Sequence, residues 1–344
     1  MSSSSEATTR QRALVVGGGA WGQNVIRTLH QMGALAAVCE MSESRRTQLA
    51  EVFPGVPVYA GLTDMLAAFP KLPVFVTTPP FTHHALAMAA LEDDRDVFVE
   101  KPMTVSVEDA RSLARHAQAR DRIAMVGHLL LYTPAVERLR ERLTELGPIR
   151  YLHAQRLNLG RVRREENVLW SFACHDIAVM LHLLDEWPEA VSCTGRGFLH
   201  PDVEDVSWMQ MRFPSGRLAS IQVGWLEPER VRKLKVVGEK ACAIIDELAA
   251  APLQIVRQTV DLQTLKTEVQ STETPVLDAF EPLARECQHF LDCVRDRTTP
   301  RSPATQGVAV VEILQSTTTS LRKGGEWIEV EQQDELHSRI CAAR

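Results

Sequence analysis

The feature that most limits what this chain can become is the run Val15-Val16-Gly17-Gly18-Gly19-Ala20-Trp21-Gly22. It sets Gly17, Gly19 and Gly22 at the spacing G-x-G-x-x-G, between an apolar stretch and a segment of helical period. At that junction the first glycine allows a tight turn, the second lets backbone approach a pyrophosphate, and the third lets helix and strand pack closely. The helix that opens here presents unpaired N–H groups and the positive end of its dipole to phosphate. Gly17, Gly19, Ala20, Trp21 and Gly22 are therefore candidate dinucleotide contacts, and a glycine-rich turn without a ligand is the competing reading.

The pattern downstream supports the first reading. Short β-branched runs at 13–17, 35–39, 73–78, 97–100 and 123–126 alternate with helical periods at 20–32, 42–52, 81–92 and 106–120, as in a parallel sheet with crossover helices. From about residue 149 the pattern changes to a helix at 171–184 and strand-like runs at 190–198, 204–213, 217–225, 231–238 and 242–246. Phe213-Pro214-Ser215-Gly216 reads as a hairpin turn between two of these runs. Helices return at 276–298 and 303–322, and Lys323-Gly324-Gly325 stops the last one before a final strand. The expected fold class is α/β: a Rossmann dinucleotide-binding domain over 11–127, followed by an α+β domain over 128–333 with an open, mostly antiparallel sheet. A disordered tail is expected at 1–10 and a C-terminal tail at 334–344.

A length of 344 residues suits two cores. The net charge of −6 argues against a nucleic-acid partner, because phosphate binding needs clustered Lys and Arg. No apolar run approaches a membrane span, and Met1-Ser2-Ser3-Ser4-Ser5-Glu6 lacks the apolar segment of a signal peptide, so the expectation is a cytoplasmic protein without a membrane partner. The cysteines at 39, 174, 193, 242, 287, 293 and 341 have no metal-ligand spacing, so no metal is expected and they read as reduced thiols, with Cys174 left open.

Glu40 closes the second strand, eighteen residues after Gly22, where a carboxylate can accept from both ribose hydroxyls. A 2′-phosphate would meet a like charge there, which favours NAD, whereas Ser42, Arg45 and Arg46 keep NADP as the alternative. Val74-Phe75-Val76-Thr77-Thr78-Pro79-Pro80 ends at the carboxyl edge of the sheet, with His83 at the start of the next helix, so Thr78, Pro79 and His83 are candidate cofactor contacts. For His83 the rival reading is a helix-start residue touching backbone.

Val97-Phe98-Val99-Glu100-Lys101-Pro102 sets a lysine at another strand end on the same edge. Together with the glycine fingerprint and the Thr-Pro-Pro-x-x-His element, this chain resembles the glucose–fructose oxidoreductase/inositol dehydrogenase (Gfo/Idh/MocA) family from about residue 11 to 331. The resemblance implies that Glu100 and Lys101 lie beside the nicotinamide and that Lys101 hydrogen-bonds the reacting sugar oxygen. It also implies a His on the first helix of the second domain, here His175 within Asn167-Val168-Leu169-Trp170-Ser171-Phe172-Ala173-Cys174-His175-Asp176, as general base. Many members carry Asp four residues before this His and Pro just before it; this chain has Ser171 and Cys174. Asp176 reads first as a helix-start acid favoured by the macrodipole.

The segment from Gln155 to Asn167 is similar to the branch of the family that oxidises nucleotide sugars. That implies oxidation at the sugar C3, with UDP-N-acetylglucosamine giving its 3-keto derivative and an aminotransferase acting next. Arg156, Arg161, Arg163 and Arg164 could grip the diphosphate, against a solvated basic loop or a subunit contact. Tyr132, Asn158 and Asn167 are further substrate candidates, and Trp170 is a cofactor contact or a core residue. The alternatives are a dehydrogenase of free polyols or monosaccharides, a glycoside hydrolase that uses NAD transiently, and a non-catalytic dinucleotide-sensing regulator. A homodimer or homotetramer through the open sheet is implied by the resemblance.

Overall fold

A computed structural model describes residues 11–331 except 161, 165 and 262. The expected tails at 1–10 and 334–344 lie outside the described residues, as does Arg161. The described residues divide into two compact units, 11–127 with 281–307 and 128–280 with 308–331.

The first unit is a six-stranded parallel sheet in the order β3-β2-β1-β4-β5-β6, with β1 Ala13–Val16, β2 Leu35–Cys39, β3 Val58–Tyr59, β4 Val74–Val76, β5 Val97–Glu100 and β6 Ala124–Gly127. All strands except the two-residue β3 are buried along their whole length, as a sheet with covered faces demands. The crossovers are helices α1 Gly22–Gln31, α2 Glu43–Val52, α3 Leu62–Ala68, α4 His83–Glu92 and α5 Val107–Ala119. The order reverses between β1 and β4, and the ends of these two strands are where a parallel sheet of this kind receives ligands. β3 and α3, two and seven residues long, are too short for a period to be read from the sequence.

The second unit carries α6 Pro134–Glu141, α7 Cys174–Leu184 and a nine-stranded sheet. In chain order its strands are β7 Ile149–Leu159, β8 Ala190–Arg196, β9 Val206–Arg212, β10 Leu218–Gly224, β11 Leu226–Gly238, β12 Ala241–Asp246, β13 Leu253–Val260, β14 Thr267–Glu273 and β15 Ile328–Glu329. They are arranged β14-β13-β12-β11-β7-β10-β9-β8-β15, antiparallel except for β7 beside β10. The hairpin at 213–216 joins β9 to β10.

The central strand β7 escapes the sequence reading because its inward residues are Leu152, Ala154 and Arg156, and an arginine hides the two-residue period. β14 escapes because its side chains are almost all exposed and polar. The helix read from 276 begins at Pro282, as α8 Pro282–Asp296. Glu281 accepts from the Ala284 amide at 2.6 Å, and a residue before proline avoids helical backbone.

One expectation about domain organisation differs from the structure. Residues 281–307 do not continue the second domain but pack with the first unit. Phe290 of α8 is fully buried and meets Phe75 and Phe98 edge-on at 5.1 and 5.8 Å, while Phe75 and Phe98 stack at 4.7 Å. Arg297 beyond α8 donates to both oxygens of Asp96 at 2.9 Å. The last helix, α9 Ala304–Arg322, begins in the first unit and ends in the second.

Candidate active site

In the first unit the glycine turn is shaped by contacts that leave no room for side chains. Gly17 has φ +103°, and a Cβ there would lie 2.8 Å from Thr78 Cγ2. A Cβ on Gly22 would lie 2.1 Å from the Gly17 carbonyl oxygen. Gly19 is different: no atom lies within 4 Å of its Cβ direction, so this backbone faces open space of the kind a pyrophosphate needs. Thr77 Oγ1 donates to the Gly17 carbonyl at 2.8 Å and ties β4 to the turn.

Glu40 is buried at the end of β2. Its Oε2 accepts from the Gly18 amide at 2.7 Å and its Oε1 from the Ser42 amide at 2.8 Å. The carboxylate is thereby oriented beside the turn with lone pairs left for ribose hydroxyls. Arg45 is exposed and stands 3.7 Å from Glu40, while Arg46 donates to the carbonyls of Glu40 and Met41 at 3.0 and 2.6 Å. Neither basic side chain displaces the carboxylate from its position. These groups fit a dinucleotide with an unphosphorylated ribose.

His83 is not placed as expected for a cofactor contact. It is fully buried, with Nδ1 2.9 Å from the Pro102 carbonyl oxygen and Nε2 2.8 Å from that of Thr78. Burial lowers its pKa against the pull of these carbonyls, and the charge of Lys101 lowers it further. Its part is to join the turn after β4 to the turn after β5, which is the helix-start reading in a stronger form. Thr78, one of the joined residues, exchanges a hydrogen bond with Thr82 through their hydroxyls at 2.6 Å.

Glu100 links the glycine turn to Lys101. The indole N–H of Trp21 donates to Oε1 of Glu100, and the Lys101 amide donates to Oε2 at 3.2 Å. Burial pushes the Glu100 carboxyl up to about 7, against the Trp21 hydrogen bond and the Lys101 charge, which favour ionisation. Lys101 is half-buried and precedes Pro102 through a cis peptide bond.

In the second unit His175 is half-buried in the first turn of α7, after a π-helical stretch over Leu169–Ala173. Asn167 opens this stretch: its Oδ1 accepts from the Trp170 amide at 3.1 Å and its Nδ2 donates to Glu204 at 2.6 Å. Trp170 donates through its indole to Thr318 at 3.0 Å. Ser171 and Cys174 are buried beside this turn.

Two expected substrate contacts, Arg156 and Tyr132, are corrected. Arg156 is buried, with Nε and Nη2 donating to the two oxygens of Asp176 at 2.8 and 3.0 Å and Nη2 also reaching Glu247 at 2.8 Å. Burial opposes its charge, but the two carboxylates together hold its pKa above the ordinary arginine value. Its forks are thus committed to carboxylates rather than to a phosphate, and Asp176, in the first turn of α7 as read from the sequence, is buried as its ion-pair partner. Tyr132 is fully buried in the core. Arg163 pairs with Glu166. Asn158 accepts at Oδ1 from Arg232 at 2.6 Å, a cation the sequence reading passed over. A cavity of about 430 Å³ in this unit is walled mainly by apolar side chains, with Thr133, Asp176, Glu247 and Asp278 but no cation among its described lining residues.

The parallel sheet with its glycine turn and ribose carboxylate, followed by a second unit built on a large open sheet, defines an NAD-dependent oxidoreductase. Residues 11–128 match the oxidoreductase family with an NAD-binding Rossmann fold, and residues 138–244 match the GFO/IDH/MocA C-terminal domain. The chain belongs to the Gfo/Idh/MocA family. It is 26% identical over 243 residues to UDP-N-acetylglucosamine 3-dehydrogenase of Acidithiobacillus ferrooxidans, covering 69% of this chain and 74% of the relative. The solved structure of that enzyme superposes with a TM-score of 0.80 at 23% identity over 91% of this chain and 98% of the other. scyllo-Inositol 2-dehydrogenase (NAD(+)) of Bacillus subtilis is 23% identical over 264 residues, 73% of this chain and 75% of the relative. The WlbA dehydrogenase of Bordetella pertussis, solved with NADH and UDP-GlcNAcA, shares the fold with a TM-score of 0.77 at 18% identity, covering 94% and 100% of the two chains. Among the described residues no helix is long and apolar enough to cross a membrane.

Proposed function

We propose that this chain oxidises a nucleotide sugar at C3, with UDP-N-acetylglucosamine as substrate and its 3-keto derivative as product. The observation that carries the reading is the retention of both polar groups the chemistry needs: Lys101 at the end of β5, held through its amide by Glu100, and His175 in the first turn of α7. The relative from Acidithiobacillus supports the sugar class. In this reading the His175 imidazole takes the proton of the C3 hydroxyl, and Lys101 Nζ donates to the same oxygen as negative charge develops on it. NAD⁺, when bound, supplies the hydride acceptor. Gly19 and Glu40 would hold it, at the pyrophosphate and the ribose. The 3-keto product suits a following aminotransferase, and the large open sheet suits self-association into a dimer or tetramer.

The likeness to scyllo-inositol 2-dehydrogenase supports oxidation of a free polyol as a second reading. The two separate on a panel of UDP-sugars, dTDP-sugars and inositols assayed for NADH formation. Turnover confined to nucleotide sugars is expected, lowered at least about a thousandfold by Lys101→Ala or His175→Ala while NAD binding persists. Turnover of inositols alone would remove the nucleotide-sugar assignment, and near-normal turnover by both variants would remove the two catalytic roles.

A further inference from the structure

The arginines that the sequence offers for a diphosphate are largely engaged elsewhere: Arg156 with Asp176 and Glu247, and Arg163 with Glu166. A different guanidinium stands on the same sheet face as Arg156. Arg232 of β11 is paired in register with Arg156 of β7, so the two side chains leave the sheet on one side. Asn158, two residues along β7, projects from that face as well. That side is the one α7 covers, because Arg156 reaches Asp176 on α7 and the guanidinium of Arg232 lies 5.4 Å from the ring centroid of Phe172. Phe172 precedes His175 by three residues, which on a helical turn makes them neighbours.

The hydrogen bonds of Arg232 all go to neutral oxygens. Nη1 donates to the carbonyls of Leu157 and Val231 at 3.1 and 3.0 Å, and Nη2 to Asn158 Oδ1 at 2.6 Å. Burial, and then the charge of Arg156, bring its pKa down to about 10, with Glu247 and Asp176 opposing and Arg230 adding to the fall. A half-buried guanidinium held in one geometry, with its local carboxylates taken by a neighbouring arginine, is a preformed anion site.

We propose that Arg232, fixed by Asn158 and stacked on Phe172, binds the diphosphate of the substrate beside His175 and so selects nucleotide sugars over free sugars. This deepens the function proposed above and rests on it. Asn158 acts as a positioning residue for the guanidinium, and Arg156 serves the same site indirectly by occupying Asp176 and Glu247.

Calorimetric titration of the full-length protein with UDP and with uridine tests the assignment without turnover. Wild type is expected to bind UDP more tightly than uridine. Arg232→Gln should weaken UDP at least about tenfold, the order expected for losing charge-assisted hydrogen bonds, and uridine by less than about twofold. Arg232→Lys, which keeps the charge but not the fork, should fall between, and it serves as the test if the Gln variant fails to fold. In turnover the same variants should raise KM for the UDP-sugar more than they lower kcat. Equal UDP affinity in wild type and either variant overturns the role of Arg232 and leaves the proposed function standing. A wild type that binds neither UDP nor a UDP-sugar overturns both.

Discussion

Trp21, inside the glycine turn, donates its indole N–H to Glu100, the residue that immediately precedes Lys101. Through one carboxylate the cofactor turn and the backbone of the lysine are therefore held together, since the other oxygen accepts the Lys101 amide. Both hydrogen bonds favour the ionised form, whereas burial, the largest influence, pushes the carboxyl up to about 7. In the cofactor-free protein the Trp21 indole N–H resonance, assigned with Trp21→Phe, should shift with a midpoint near 7. In Glu100→Gln that midpoint should vanish. A resonance that stays fixed from about pH 5.5 to 8.5 in wild type would contradict the link.

Two of the fingerprint glycines, Gly22 and Gly19, predict separable defects. Gly22→Ala forces a methyl into the Gly17 carbonyl oxygen, 2.1 Å away, so it should lower the urea midpoint and impair NAD binding together. Gly19→Ala meets nothing within 4 Å and should leave the midpoint unchanged, yet it fills the approach of pyrophosphate to backbone and should weaken NAD at least about tenfold. Chemical denaturation beside NAD calorimetry checks both. A Gly19→Ala protein with normal NAD affinity would show that the dinucleotide passes elsewhere.

How far the sequence discloses this site depends on whether a residue's task is local. The glycine turn, Glu40 and the Glu100-Lys101 strand end are legible because turn geometry and chain direction alone decide where they lie. For His83 the helix-start reading holds, whereas Arg156 is misjudged because its guanidinium is met by Asp176 and by Glu247, which lies far along the chain. Arg232 goes unnoticed because its importance comes from strand register beside Arg156 and from a ring on another element. The placement of α8 with the first unit depends on Phe290 finding Phe75 and Phe98, a contact no periodicity encodes.

Glu40 should decide the choice between the two nicotinamide dinucleotides. Its carboxylate is fixed by the amides of Gly18 and Ser42 at 2.7 and 2.8 Å and would face a 2′-phosphate with like charge. NAD is expected to bind at least about a hundredfold tighter than NADP. Glu40→Ala should weaken NAD about ten- to a hundredfold, from loss of hydrogen bonds to a charged acceptor, and should narrow the preference. Arg45, exposed and within 4 Å of this carboxylate, is then free to receive the extra phosphate. Fluorescence titration with NADH and NADPH measures both ratios, and an unchanged preference in Glu40→Ala would exclude the carboxylate as its source.

Glu286 of α8 makes the strongest case for a pH-dependent fold. It is fully buried, and neither carboxyl oxygen has a hydrogen-bond partner among the described residues. Phe290, one turn later on α8, lies over Phe98, and Glu100 follows Phe98 by two on the same strand face, so the two carboxyls are brought near each other. Burial, then the charges of Glu100 and Glu281, raise the Glu286 pKa well above the ordinary carboxylate value. Arg27 and His30 of α1, which also packs on α8, are exposed and offer no counter-charge. A carboxyl whose pKa is raised by folding binds its proton more tightly in the native state. Its contribution is therefore favourable below the unfolded value near 4.5 and is lost as pH rises above it. Glu100 acts with the same sign between about 4.5 and 7, a loss on the order of 3 kcal/mol. The urea midpoint of Glu286→Gln should therefore match wild type below about pH 4.5 and exceed it increasingly as pH rises through the range above that value. Parallel midpoints for the two proteins across that range would mean that Glu286 is already ionised inside the fold, a state that would require a counter-charge beside α8.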